Sequence, residues 1–428
     1  MNAGRTLPAF AGYGIELEYA IVDAQSLDAR PIARALLDQR AASELAAHVG
    51  PALAWSNELV AHVVELKNAV PVSELDALVH SFQTEIACGN HALAAHGARL
   101  MPSGMHPWMN PHTEAVLWSG DEHGIYQTYD RLFDCRRHGW ANLQSMHINL
   151  PFADEAQFVR LHAAVRLVLP LLPALAASSP IVQAGDTGCV DYRLECYRTN
   201  ALRFPAIAGS IIPESVDSST EYRQRVLAPM YEQIASYDPE GILRHEWLNS
   251  RGAIARFDRS ALEIRLADTQ ECPRMDLAIA EATIAVTRAL YDRNPSPKQA
   301  IATDDLARVF HDCVRHGEHA VIQDAAYMRA LGVPGWRRSA AQLWRALIDE
   351  VGAIRGQPEW WHPYVLAISE QGTLARRILR AVDGEFTRDR LREVYRQLCD
   401  CLADGVPFEL ALGRGDSTLR MHAGTARG

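Results

Sequence analysis

The chain lacks an apolar run long enough to cross a bilayer. Its greasiest stretch, Leu167 to Pro180, is too short and too rich in proline to span about 30 Å of hydrocarbon. A basic excess is also missing. Lys and Arg together number 42 against 52 Asp and Glu, a formal net charge of −10, and no broad basic patch stands out. That argues against a nucleic-acid partner. Lysine is scarce, and arginine carries most of the positive charge. The eight cysteines (Cys88, Cys135, Cys189, Cys196, Cys272, Cys313, Cys399 and Cys401) form no CxxC pair and no zinc spacing. They read as reduced thiols of a cytoplasmic protein. No signal-like apolar segment precedes the first strand, and no internal repeat stands out. What remains is ordinary for a folded soluble protein: 428 residues, 48% hydrophobic and 22% charged, enough for one large domain or two.

Against that background, four short segments alternate apolar with polar residues. In Gly14-Ile-Glu-Leu-Glu-Tyr19, Glu16 and Glu18 fall on one strand face, because strand side chains repeat every second residue. Glu65 and Lys67 share a face in Val63–Lys67. Ser145, His147 and Asn149 share one in Ser145–Leu150, and Glu263 and Arg265 in Ala261–Leu266. Two carboxylates so close call for a cation, a shared proton or water between them. A solvated face on a half-buried strand gives the same alternation, so Glu16 and Glu18 alone decide nothing. Four such strands in one antiparallel sheet, greasy on one face and charged on the other, would gather the polar sets in one trough. Asp, Glu and His around a cavity suit Mg²⁺ or Mn²⁺.

The rest of the chain reads as a mixture of strands and helices. Strands are expected at 13–23, 58–68 and 143–150, with 98–107 a strand breaking into a turn. Residues 252–267 read as a hairpin. Helices are expected at 30–48, 72–98 (with Pro71 and Ser73 at its start), 155–177 and from Met275 to Asp292. Residues 185–214, punctuated by Gly185, Gly188, Pro205, Gly209 and Pro213, read as an irregular loop beside an active site. Asn294-Pro-Ser-Pro297 is the candidate boundary between a catalytic core (1–294) and a helical region packed on it (295–428). That region reads as helices at 303–320, 338–354, 373–383 and 386–404, with a frayed tail from Gly413.

Six motifs occur in a characteristic order: Gly-Ile-Glu16-Leu-Glu18, Val-Glu65-Leu-Lys, Ser-Gly104-Met-His106-Pro107, Met-His147-Ile-Asn149-Leu, Leu-Ala-Ala-Ser-Ser-Pro180 and Leu-Glu263-Ile-Arg265-Leu-Ala-Asp268. Over roughly residues 10–292 the chain resembles the glutamate–cysteine ligase type 2 family, also described as carboxylate–amine ligases. The resemblance implies an α+β fold with a curved, mostly antiparallel sheet of the glutamine synthetase and guanidino kinase type. It also implies ATP-dependent amide-bond formation. A carboxylate, classically the γ-carboxylate of glutamate, is phosphorylated, and an amine, by default that of cysteine, attacks the acyl phosphate. Metal ions must offset the repulsion between carboxylate and nucleotide, and arginine stabilises the transferring phosphoryl group.

By position, Glu16, Glu18, Glu65 and Glu263 match the metal-binding acids of that family, with Glu58 a weaker match. Arg265 matches the catalytic arginine at the phosphate, and Arg256 is expected to join it at the nucleotide. His147 stands where relatives carry His-x-His or Gln-x-Asn. It is open as a metal ligand, as a donor to phosphate or substrate, or as a hydrogen-bonded bystander, and Asn149 is expected to touch substrate. Arg193 is the candidate clamp for an amino-acid carboxylate, with Arg198 and Arg203 as alternatives. His106 is expected to shape the trough wall, and Cys189 to have no chemical role. The C-terminal third departs from the family pattern, at Arg315–Ala320 and Gly332–Trp336, without touching the metal trough. Small-molecule substrates are expected, with no membrane partner, and a homodimer is left open. The competing readings are a guanidino-type phosphotransferase and a non-catalytic binder of nucleotide or amino acid.

Overall fold

The computed structural model describes residues 6–43, 52–121, 123–295, 300–355, 359–410 and 412. The end of the helix expected at 30–48, part of the boundary at 294–297 and the tail from Gly413 lie outside the described residues. The sheet is built from β1 (Gly14–Asp23), β2 (Leu53–Asn57), β3 (Val63–Asn68), β4 (Ala98–Met101), β5 (Ser145–Pro151), β8 (Ala253–Arg256) and β9 (Ala261–Asp268). Two short strands, β6 (Ile181–Val182) and β7 (Gly185–Asp186), form a separate hairpin. The order across the main sheet is β2-β3-β1-β5-β9-β8, with β4 also paired to β1, and every pairing is antiparallel.

The alternation seen in the sequence separates the two faces as expected. Ile15, Leu17, Tyr19 and Ile21 of β1 enter one buried cluster with Val64 and Leu66 of β3, Met146, Ile148 and Leu150 of β5, and Leu262, Ile264 and Leu266 of β9. Helices Asp76–Ala94, Glu155–Val168 and Pro273–Asp292 supply Phe82, Ile86, Phe158, Leu161, Ile279 and Ile284 to the same cluster. Full burial of one such side chain stabilises by about 1.5–3 kcal/mol, so this face holds the sheet to its helices. Local signals start those helices. Asp154 accepts from the Gln157 amide at 2.9 Å, and Pro273 occupies the first turn of the last one.

Three expectations need correction. The strand expected at 58–68 is shorter: only Val63–Asn68 is extended, as β3, residues 58–62 connect it to β2 (Leu53–Asn57), and β2 was missed because its residues are half-buried throughout and show no alternation. The stretch 185–214 is not irregular throughout. Helix Tyr192–Thr199 lies between its glycines and its prolines, capped by Asp191, which accepts from the Leu194 amide at 3.1 Å. Helix His123–Phe133 was also not anticipated.

The C-terminal helices bear on the trough. Ala20 and Val22 lie on the same face of β1 as Glu16 and Glu18, because the period is two. Yet they are buried, with Met101, against Leu374, Ile378, Leu391, Val394, Tyr395 and Leu398. Helices Leu374–Val382 and Arg388–Asp404 therefore roof this face beyond Glu18. The main cluster also contains residues on both sides of the expected boundary, from Tyr13 to Leu402.

Candidate active site

Register carries the acids together. Glu16 stands opposite Lys67 on one side and His147 on the other, and Glu18 stands opposite Glu65. Ser56 faces Glu65 from β2, and Glu263 faces Asn149 from β9. Side chains opposite one another share a face, so one polar surface runs across five strands. Hydrogen bonds then fix it. Glu16 accepts from His147 Nδ1 and from Asn149 Nδ2, each at 3.1 Å. Glu18 accepts from the Ser145 amide at 2.7 Å and from its hydroxyl at 3.1 Å. Glu65 accepts from Ser56 Oγ at 2.9 Å and Lys67 Nζ at 2.5 Å. Lys67 is one of only two lysines in the chain.

The acids fall into two groups able to hold a cation. Glu16, Glu65 and His147 can bring one ligand atom each within 4.8 Å of one another, and so can Glu18, Glu58 and Glu65. Glu65 belongs to both. Crowding shows in their protonation. Burial pushes Glu65 up to about 7, reinforced by the charge on Glu16 and offset by Lys67. Burial raises Glu58 well above the carboxylate range, with Glu18 and Glu65 adding to it. Burial works against the charge on Glu16 too, but the His147 hydrogen bond and charge outweigh it and hold Glu16 below the usual range. His147 is the mirror case: burial disfavours its charge, and Glu16 and Glu18 override that and raise it. Burial and mutual repulsion thus disfavour charge on Glu58 and Glu65, a penalty that a divalent cation between them would relieve. Oxygen-rich sets with a single imidazole fit Mg²⁺ or Mn²⁺. Glu58, the weaker match by sequence, completes one of the two groups.

Glu263 is in neither group, although its Oε1 lies 4.0 Å from His147 Nδ1. Its oxygens are taken by two arginines, Arg265 Nε at 2.5 Å and Arg256 at 3.1 Å, and Arg265 keeps it ionised against the effect of burial. In this structure Glu263, expected as a metal ligand, anchors guanidinium groups. Arg265 is 19% exposed and Arg256 8%, and Arg256 Nε is buried without a partner, so the pair keeps capacity for an anion. Helix His123–Phe133 flanks them. Its Tyr126 hydroxyl accepts from Asn57 Nδ2 at 3.0 Å, and Tyr129 lies within reach of the Arg265 charge.

Arg193, expected as a carboxylate clamp, is turned into the core. It is 2% exposed, its Nε is held by Asp268, and its second nitrogen reaches the Arg265 carbonyl at 3.4 Å. These contacts hold it in the scaffold beneath the trough. The alternatives serve no better, since Arg198 pairs with Glu195 on its own helix and Arg203 packs over Tyr237. His106, expected at the trough wall, is buried and hydrogen-bonded at both ring nitrogens: its Nε2–H donates to the Leu27 carbonyl at 2.8 Å, and its Nδ1 accepts from the Met109 amide at 3.0 Å. Burial raises the Cys189 thiol, which suits no nucleophile. All eight cysteines are unpaired. Ser56 was missed because its strand was missed. Its only sequence signal is its place two residues before Glu58.

The crystal structure of a glutamate–cysteine ligase from Francisella tularensis, in complex with AMP, superimposes with a TM-score of 0.61 at 13% identity, over 91% of this chain and 88% of that one. That of a bifunctional glutathione synthetase from Pasteurella multocida gives 0.58 at 14% identity, over 92% of this chain and 53% of that one. At such identities the likeness establishes the fold. An uncharacterized protein of Archaeoglobus fulgidus is 36% identical over 283 residues, 64% of this chain and 76% of that one. A Rubrobacter xylanophilus protein named "Putative glutamate--cysteine ligase 2-1" is 29% identical over 420 residues, 95% of this chain and 94% of that one. Fold and trough together define an ATP-dependent ligase of the carboxylate–amine type. The chain belongs to glutamate–cysteine ligase family 2, whose family model matches residues 13–397.

Proposed function

We propose that the trough joins a carboxylate to an amine through an acyl phosphate made from ATP, with the glutamate γ-carboxylate and the cysteine amine as the default pair. The observation that carries the reading is the sharing of Glu65 by two acid groups, beside the arginine pair on Glu263. Glu16, Glu65 and His147 would hold one Mg²⁺ or Mn²⁺, and Glu18, Glu58 and Glu65 another; such cations offset the charge of the ATP phosphates. Arg265 and Arg256 donate to the phosphoryl oxygens as charge builds there, and Glu263 holds both guanidinium groups ready. Asn149 orients Glu16 and offers its amide to substrate. Before a cation binds, protonated His147 offsets the charge between Glu16 and Glu18, and a cation that takes its ring nitrogen displaces that proton. Substrates are small molecules. Among the described residues no helix is long and apolar enough to cross a membrane, and the unpaired cysteines support a reducing compartment such as the cytoplasm.

The test is ADP release from ATP with glutamate against a panel of amino acids and amines, with Mg²⁺ or Mn²⁺. Release that needs both a carboxylate and an amine supports the ligase. Release with a single acceptor indicates phosphotransfer. No release with any pair overturns the catalytic reading.

A further inference from the structure

Two motifs have no part in the chemistry above, Ser178-Ser179-Pro180 and Leu266-Ala267-Asp268. They meet at one carboxylate. Asp268 is fully buried, and its Oδ2 accepts from the Ser178 amide at 2.8 Å and from Ser179 Oγ at 2.7 Å, while its Oδ1 holds Arg193 Nε. The Ser103-Gly104 turn closes over it. Gly104 donates to Ser178 Oγ at 2.7 Å, and a Cβ on Gly104 would overlap the Asp268 carboxyl group. Ser179 Oγ also accepts from the Arg193 amide at 3.0 Å, so two partners of Asp268 are tied to each other.

Two branches leave this knot toward the trough. Arg193 reaches the main-chain carbonyl of Arg265 at 3.4 Å. Ser178 Oγ donates to the Thr269 carbonyl at 2.8 Å, and Thr269 Oγ1 donates to the Glu18 carbonyl at 3.1 Å. Asp268 also pairs in register with Ser145, whose amide and hydroxyl hold the Glu18 carboxylate. One buried carboxylate thus connects the backbone under the phosphate arginine to the backbone under a metal-binding acid.

We propose that Asp268 is a positioning residue: through Arg193 it sets Arg265 against the nucleotide phosphates, and through Ser178 and Thr269 it sets Glu18. It touches no substrate. The inference uses the ligase reading for its turnover arm only, because ATP binding reports on Arg265 whether or not an amide bond is formed.

The experiment is ATP titration with Mn²⁺ on the full chain, for wild type, Asp268→Asn, Arg265→Ala and the double variant, with ADP release measured alongside. Asp268→Asn is expected to weaken ATP binding about tenfold and, by misplacing the arginine, to lower turnover about a hundredfold. Added to Arg265→Ala, it should weaken ATP binding by less than it does alone, because the larger share of its effect passes through that residue and only the share through Glu18 remains. A merely structural role would lower thermal stability in both backgrounds and leave the two affinity losses additive. Ser179→Ala, which removes one 2.7 Å bond, should move the affinity the same way by less, and it carries the test if Asp268→Asn does not fold. Unchanged ATP affinity in the folded variant, or a full loss that persists without Arg265, overturns the proposal. Wild type that binds ATP but releases no ADP would sink the ligase reading and leave the binding cycle interpretable.

Discussion

Replacing Glu263 by glutamine separates what the arginine bridge does for stability from what it does for function. Glu263 is 2% exposed and carries both Arg256 at 3.1 Å and Arg265 at 2.5 Å. Removing one partner of a buried ion pair costs about 3–5 kcal/mol, because the other charge is left behind. Glutamine keeps one carbonyl oxygen for one guanidinium, and Arg265 can turn toward water, so the loss falls at the low end, about 3 kcal/mol. At roughly 2.1 cal/mol/K per residue, the 428 residues unfold with an entropy of about 0.9 kcal/mol/K, so Tm should drop about 3 °C. Scanning calorimetry measures this directly. Glu263→Met combined with Arg256→Met removes both buried charges and should return Tm to within about 1 °C of wild type, since apolar isosteres replace buried pairs at little cost. ADP release should stay lost in the double variant, because the phosphate arginines are no longer held. An unchanged Tm in Glu263→Gln, or a double variant as unstable as the single one, would refute the reasoning.

Glu65→Gln removes a ligand from both acid groups, whereas Glu58→Gln removes one from a single group. Mn²⁺ binding followed by electron paramagnetic resonance should therefore suffer more in the former, and equal losses would show that Glu65 is not shared. His62, His106 and His162 are held by burial at about 4, about 3 and about 3, so they stay neutral when folded. Unfolded, they bind protons near 6.5; the unfolded chain then takes up more protons, and stability present above 6.5 is lost as pH falls toward 3, on the order of 3 kcal/mol for His62 and on the order of 5 kcal/mol for each of the other two. A denaturant midpoint that stays flat across that window would contradict it. Ile378→Ala leaves a void under the trough roof at a fully buried position and should cost about 2–5 kcal/mol, with faster proteolysis at the Asp383–Thr387 turn. Cleavage at the wild-type rate would count against the roof.

Four strands were legible in the sequence because each carries its own period of two, and a period needs only its own residues. What those strands do to one another was not legible. Glu65 can belong to both acid groups only because β3 pairs with β1 in the register that sets it opposite Glu18. A slip of one residue would turn it to the apolar face. Arg193 shows the same limit in a sharper form. Its sequence neighbourhood, a glycine-bearing stretch after Ser-Ser-Pro, suits a substrate loop, but Asp268, 75 residues away, draws it into the core. An arginine's type gives no sign of which way it turns; the position of its carboxylate decides that. Glu263 follows suit, because two guanidinium groups from its own hairpin reach it where a cation was expected. β1 shows the general form. One face of one strand carries Glu16 and Glu18 into a polar trough and Ala20 and Val22 under a roof supplied from the far end of the chain. Alternation reports that a strand has two faces. Which stretch of a face meets water, metal or helix is set by elements far away, and in this protein that difference separates a ligand from a wall.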